Sequence, residues 1–226
     1  MNFRKALFGL AVLLSGAAGG AHAAQSYADP KVGYSVEFPD GWVVATEPSA
    51  PGAVAGVGGQ GTPELRVCLV TVVTGGPQSK LSQAQINQDM RAPFGDSFWQ
   101  EMAGNSVKGA KVESSGSREH PSTLVAQEAL LSFNFSATDP RVMRMNISVM
   151  MTPQYIYSIG CSAEASVHTK HKAEFLTFVN SFRHKAGMEA GVNPAPGSAT
   201  PVAAQDKSVL GSAISRAAEI LKNKIK

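Results

Sequence analysis

Several residues in this chain have the types and spacings that carry chemistry. Gly56, Gly58 and Gly61 spell the Gly-x-Gly-x-x-Gly string of dinucleotide-binding loops. That chemistry needs a strand before the glycines and a helix N-terminus after them to hold the pyrophosphate. Here Thr62-Pro63-Glu64 leads into a β-branched run, so the string predicts a flexible loop and no nucleotide site. His168 and His171 stand three apart, with Glu164 and Glu174 close by, so one helix face could offer metal ligands. No further cluster of Cys, His or acid is near them in sequence, and the pair reads as two solvated histidines rather than a metal site. His120 falls in a turn and His184 at a helix end, where a cation suits the dipole. No serine occupies a Gly-x-Ser-x-Gly elbow, and Cys68 and Cys161 do not form a Cys-x-x-Cys pair. The expectation is a protein with no catalytic residues, no cofactor and no metal, hence not an enzyme.

Compartment decides what the two cysteines can do. Arg4 and Lys5 precede an apolar stretch from Ala6 to Leu14, and Ala21-His22-Ala23 follows a small, flexible segment. This is the layout of a secretory signal cleaved after residue 23, and the apolar run is well short of the roughly 20 residues that span a bilayer. The expected location is therefore periplasmic or secreted. In an oxidising compartment Cys68 and Cys161 can pair as a disulfide, or stay buried as two small hydrophobes. Strand order decides whether their Cβ atoms meet, and spacing alone leaves both outcomes open.

Charge gives no support to one class of partner, nucleic acid. The formal net charge is +3, and it falls to +1 without Arg4 and Lys5. Residues 24–202 carry 13 Lys and Arg against 15 Asp and Glu, whereas residues 203–226 carry 5 against 2. A near-neutral body with a basic tail gives no reason to expect nucleic acid.

The elements that must position these residues are legible from periodicity. Gly33 to Phe38 alternates polar and apolar residues, and Pro39-Asp40-Gly41 turns the chain into Trp42-Val43-Val44, which predicts two short strands. Ser49 to Thr62 is rich in Gly, Ala and Pro and predicts a loop. Leu65 to Thr74 is an apolar, β-branched run expected as a strand covered on both faces. Ser82 is placed to cap a helix carrying Ile86 and Met90, and Pro93 and Gly95 break it, leaving Asp96 to start a second one. Lys111–Glu119, Thr123–Phe135, Val142–Met151 and Tyr155–Ala163 are separated by short turn segments and predict an antiparallel meander. In the third of these, Met143, Met145, Ile147, Val149 and Met151 share one face, expected to lie under a helix, while Arg144, Asn146 and Ser148 share the other. Lys172 to Arg183 closes the unit as a helix with Phe175, Phe178, Val179 and Phe182 on one side. The expected class is α+β, an antiparallel sheet of about six strands covered by helices.

Two motifs at opposite ends of this unit carry a resemblance. Tyr27-x-Asp29-Pro30-x3-Tyr34-Ser35-Val36-x-Phe38-Pro39-x-Gly41-Trp42 and Phe175-x2-Phe178-Val179-x-Ser181-Phe182-Arg183 look like the opening and closing motifs of the PsbP/DcrB-like superfamily. The resemblance spans roughly residues 27–183 and implies a PsbP-like α/β/α sandwich. It also implies a non-enzymatic interaction module, since members include lumenal photosystem proteins, bacterial envelope proteins and a GTPase-binding import factor. The matched positions are architectural; Trp42 and Phe182 are bulky enough to bury against each other.

The expected organisation is a signal peptide at 1–23, a PsbP/DcrB-like domain at 24–185, a Pro/Ala/Gly-rich linker at 186–206 and a basic amphipathic helix at 207–226. In that helix Leu210, Ile214, Leu221 and Ile225 share a face, with Arg216, Lys222 and Lys224 among the polar residues. Such a segment binds an anionic membrane surface, docks on a partner, or folds back on its own domain. The leading functional expectation is an envelope protein acting by protein–protein contact with an unidentified partner, an anionic membrane surface, or both. The alternative is a periplasmic small-ligand or metal-binding protein using the space between sheet and helices.

Overall fold

A computed structural model describes residues 24–46, 52–103, 109–134 and 141–185. The expected signal peptide, linker and C-terminal helix lie outside the described residues.

The chain opens with a hairpin of β1 (Gln25–Asp29) and β2 (Tyr34–Phe38). Asp29 makes its turn: its Oδ1 accepts from the backbone N–H groups of Lys31 at 2.8 Å and Val32 at 2.7 Å. Pro39-Asp40-Gly41 then carries the chain out of this sheet, with Gly41 at φ 76°, a left-handed conformation that suits glycine. The following strands are β3 (Val43–Thr46), β4 (Val54–Gly58) and β5 (Arg66–Thr74). A short 3₁₀ turn at Pro77–Lys80 leads to α1 (Gln83–Asp89) and α2 (Asp96–Ala103). Ser82 caps α1 in a capping box with Gln85. The meander β6 (Lys111–Glu119), β7 (Val125–Asn134), β8 (Val142–Met151) and β9 (Tyr155–Glu164) follows. Finally come α3 (Ala165–Lys170), α4 (Lys172–Ser181) and the two-residue β10 (Arg183–His184).

Seven strands form one antiparallel sheet in the order β3-β4-β5-β9-β8-β7-β6, and β1-β2-β10 form a small second sheet. On one face, Tyr34, Val36 and Phe38 of β2 and Phe175, Phe178 and Phe182 at the closing helix pack on Cys68, Val70, Tyr157 and Ile159. On the other, Trp99 and Met102 of α2 cover Met145, Ile147 and Val149 of β8, and Ile86 and Met90 cluster with Val125. Each fully buried side chain of this size contributes about 1.5–3 kcal/mol over its exposed state. The methionine-bearing face of β8 is thus core under a helix. The two end motifs meet in space. Ser181 Oγ accepts from the Glu37 N–H at 2.9 Å, β10 pairs with β2, and Phe38 packs on Phe178 at 4.8 Å between ring centroids.

Two local expectations are corrected, the loop from Ser49 to Thr62 and the contact between Trp42 and Phe182. The predicted loop from Ser49 to Thr62 contains β4, which pairs with β3 and β5 and brings the large sheet to seven strands. Its glycines are there for packing: a Cβ on Gly56 would sit 2.3 Å from Phe38 Cδ1, and one on Gly58 would sit 2.5 Å from the Trp42 ring. The two strands expected around Pro39-Asp40-Gly41 are present as β2 and β3, and they belong to different sheets. The expected closing helix is α4, which ends at Ser181, and α3 precedes it with a bend at His171. Trp42 and Phe182 share one core without serving as each other's ring partner: Trp42 packs on Phe38, while Phe182 lies against Tyr34 and Tyr157.

Candidate functional site

The sheet is wider than the helix pair lying across it. Toward β6 the face under α3 and α4 opens into a groove of ≈ 390 Å³. Its floor is the polar side of the meander. Alternation that sends Met145, Ile147 and Val149 to the α2 side sends Arg144, Asn146 and Ser148 here, alongside Glu128 of β7. His168, Thr169 and Lys172 form the helical wall.

Most of these groups hold each other in place. Glu128 accepts from Ser148 Oγ at 2.8 Å and from Arg118 Nε at 2.8 Å, and Arg118 also donates to Asn180 Oδ1 of α4. Arg144 donates to Glu113 at 3.0 Å and to Thr169 Oγ1 at 3.3 Å. Two atoms are left over. His168 Nε2 and Asn146 Oδ1 are buried without a hydrogen-bond partner among the described residues. His168 is only 3 % exposed and packs on Phe175 at 5.1 Å. Burial, then the nearby Arg144 charge, hold its pKa down to about 4, so it is neutral at neutral pH.

A second polar cluster fastens the start of α4 to the other end of the sheet. Glu174 accepts from Trp42 Nε1 at 2.8 Å and contacts His171 Nδ1 at 2.7 Å, with Arg66 Nε 3.3 Å away. His171 Nε2 reaches Glu64 at 3.2 Å, and Lys170 also pairs with Glu64. Hydrogen bonds from Lys170, then His171, lower the Glu64 pKa. Arg66 lies over the Trp42 ring at 5.7 Å. Among the described residues the side-chain polar partners of His171 are Arg66, Glu64 and Glu174, none of them a hydroxyl or thiol nucleophile. The cluster's action is to clamp helix to sheet.

The expected solvated pair is therefore corrected. His168 is core, because the bend at His171 turns α3 onto β8 and β9, whereas His171 faces the clamp. Among the described residues no group of three or more His, Cys, Asp or Glu side chains is arranged to hold a metal. His120 leads into the expected turn and is buried there: Nε2 is 2.9 Å from the Val179 carbonyl and Nδ1 is 2.8 Å from Ser122 Oγ. Its pKa is lowered by burial. His184 lies in β10, 3.2 Å from the Ser122 carbonyl, and not at a helix end. Gly56 and Gly58 lie in β4 under aromatic rings, and Gly61 follows in the turn to β5. Cys68 and Cys161 face each other in register on β5 and β9 and are joined as a disulfide within the core. Leu210, Ile214, Arg216, Leu221, Lys222, Lys224 and Ile225 lie outside the described residues. The groove is what spacing arguments miss. Its one sequence signal is the Arg144-x-Asn146-x-Ser148 alternation opposite the methionines.

One apolar surface is left partly open. Registers place Val43, Val57 and Val67 in one cross-strand row and Ala45, Ala55 and Leu69 in the next, on the sheet face opposite Phe38 and Trp42. Val43 is 51 % exposed, and Ala45, Ala55, Val67 and Leu69 are half-buried. Among the described residues no helix is long and apolar enough to cross a membrane.

No protein-family model matches this chain, and no curated protein matches it in sequence. Solved structures do match in shape. The solution structure of cyanobacterial PsbP from Synechocystis superposes with a TM-score of 0.50 at 16% identity, covering 76% of this chain and 99% of that one. LpqN of Mycobacterium tuberculosis, described as involved in cell envelope biogenesis, has a TM-score of 0.49 at 11% identity over 71% of this chain and 91% of its own. The Saccharomyces cerevisiae Ran-binding protein Mog1p has a TM-score of 0.44 at 7% identity, covering 72% and 95%. With its large antiparallel sheet, small second sheet and closing helix, this chain has the PsbP-like fold.

Proposed function

We propose that this is a non-enzymatic exported envelope protein that works by binding another protein. The observation that carries the reading is the open apolar face of β3, β4 and β5. Val43 is exposed there, Ala45, Ala55, Val67 and Leu69 are half-buried, and these side chains adjoin buried Val57, so the face presents a partly open apolar surface suited to a protein contact. The clamp around Glu174 supports it from behind, since it stiffens the same strands against α4. Export rests on the basic and apolar segment at residues 4–14 and the small residues before Ala24. The basic amphipathic segment at 207–226 adds a second contact, with an anionic membrane surface or with the partner.

The test is a benzophenone amino acid placed at Val43 and, as a control, at exposed Lys111 on the opposite edge strand, in the full chain expressed in intact cells. A discrete cross-linked product from Val43 that Lys111 does not yield, with the protein in the periplasmic fraction, supports the proposal. Retention in the cytoplasm overturns export. Equal products from both positions, or none from Val43, overturn the contact face.

A further inference from the structure

The groove over β6–β8 contains polar atoms whose needs the fold does not meet. A buried polar atom without a partner costs about 1–3 kcal/mol. Here two such atoms, His168 Nε2 and Asn146 Oδ1, belong to residues lining one groove. The groove's carboxylate is engaged elsewhere: Glu128 is held by Arg118 and Ser148. Glu113 is paired to Arg144 at the rim. Cationic groups dominate the remaining rim. Arg144 and Lys172 both line the opening, and among the described residues no carboxylate is in ion-pairing range of Lys172.

These groups specify a ligand. Asn146 Oδ1 is an acceptor and requires an O–H or N–H donor. A neutral imidazole at His168 donates or accepts at Nε2 according to its tautomer. Lys172, with no carboxylate partner among the described residues, calls for an anion, Arg144 adds positive charge beside its own pairing with Glu113, and Leu176, Leu130 and Val179 add a short apolar wall. The volume is at the small end of ligand sites, which run from about 300 to 1,000 Å³. We propose that this groove binds a small hydroxy- or amino-carboxylate, with its hydroxyl or amino group on Asn146 and His168 and its carboxylate facing Lys172 and Arg144. This site is on the opposite sheet face from Val43 and does not depend on the protein-contact reading.

The experiment is an amide NMR titration of the ¹⁵N-labelled full chain with L-malate, L-lactate, L-serine and L-glutamate at millimolar concentration. Succinate serves as a carboxylate without the donor, and glycerol as a donor without the charge. The expected result is saturable shifts at residues 144–148 and 168–176 from at least one of the four. Lys172→Ala and Asn146→Ala should each weaken binding about 10-fold or more, as expected for hydrogen bonds with a charged partner. Lys172 is exposed, so that variant keeps its fold, and spectral dispersion checks Asn146→Ala in the same experiment. The proposal is overturned if none of the four shifts these residues, if succinate or glycerol binds as tightly, or if the folded variants bind as wild type.

Discussion

Replacing Cys68 and Cys161 together by alanine should cost this protein about a third or more of the stability typical of a small domain. The two residues are 93 apart in sequence and joined across β5 and β9 at the centre of the large sheet. In the chain-entropy model a cross-link closing a loop of this length restricts the unfolded state by ~4.7 kcal/mol at 25 °C. Against a typical total of ~5–15 kcal/mol, that is a large fraction. At roughly 2–4 °C per kcal/mol for a chain of this size, the melting temperature should fall by about 10–18 °C. Each substitution removes only one buried sulfur, so the lost packing is small beside the loop term. Urea denaturation of the oxidised wild type, the reduced wild type and the double variant provides the measurement. The last two should unfold together, well below the first. Two free thiols in the denatured, unreduced protein, or a difference under about 1 kcal/mol between oxidised wild type and variant, would refute the reasoning.

Three further perturbations follow from named contacts. Gly56→Ala drives a methyl into the Phe38 ring, 2.3 Å away, and should destabilise by ~1–3 kcal/mol in the same urea assay; an unchanged midpoint would mean that the ring moves freely. Thr123, a β-branched residue at φ 71° in the β6–β7 turn, should gain up to about 1 kcal/mol as Thr123→Gly, and a loss would show that its side chain repays the strain. Acid should weaken the fold through His168. Its folded-state pKa is below the unfolded value of 6.5, so its contribution is complete above pH 6.5 and is lost as pH falls toward about 4, by roughly 3 kcal/mol at most. His120, also lowered by burial, acts with the same sign. Comparing urea midpoints at pH 7 and pH 4.5 in His168→Gln and wild type tests this, since an identical pH dependence in both would remove His168 as the cause.

The helix-to-sheet clamp and the groove differ in how completely their groups are satisfied, and that difference separates scaffold from candidate site. Glu174 has Trp42, His171 and Arg66 around it, and Glu64 has Lys170 and His171. Each charged group of this cluster has an opposite charge beside it, including Arg66 Nε, which is buried without a hydrogen bond among the described residues but lies 3.3 Å from Glu174. In the groove the pairing stops short of Asn146 and His168, so any completion must come from outside the described residues.

Local chemistry was enough to read most of the fold from the amino-acid order. Period-two alternation and short turn segments mark the meander from Lys111 to Ala163, and the Ser82 capping box marks the start of α1, because these signals act over a few neighbouring residues. β4 was illegible for the opposite reason. Its glycines carry no local strand signal, and they are required only because Phe38 and Trp42, from earlier in the chain, lie on top of them. His168 likewise reads as a polar helix residue until the bend at His171 turns it inward. Sequence alone thus determined the meander strands, α1, α2, α4 and the alternation that puts Arg144, Asn146 and Ser148 on one face. Only the tertiary structure decided that β5 and β9 are neighbours with Cys68 opposite Cys161, and that α3 stops short of covering the polar floor. Both depend on which distant segments pack together, and no interaction between sequence neighbours specifies that.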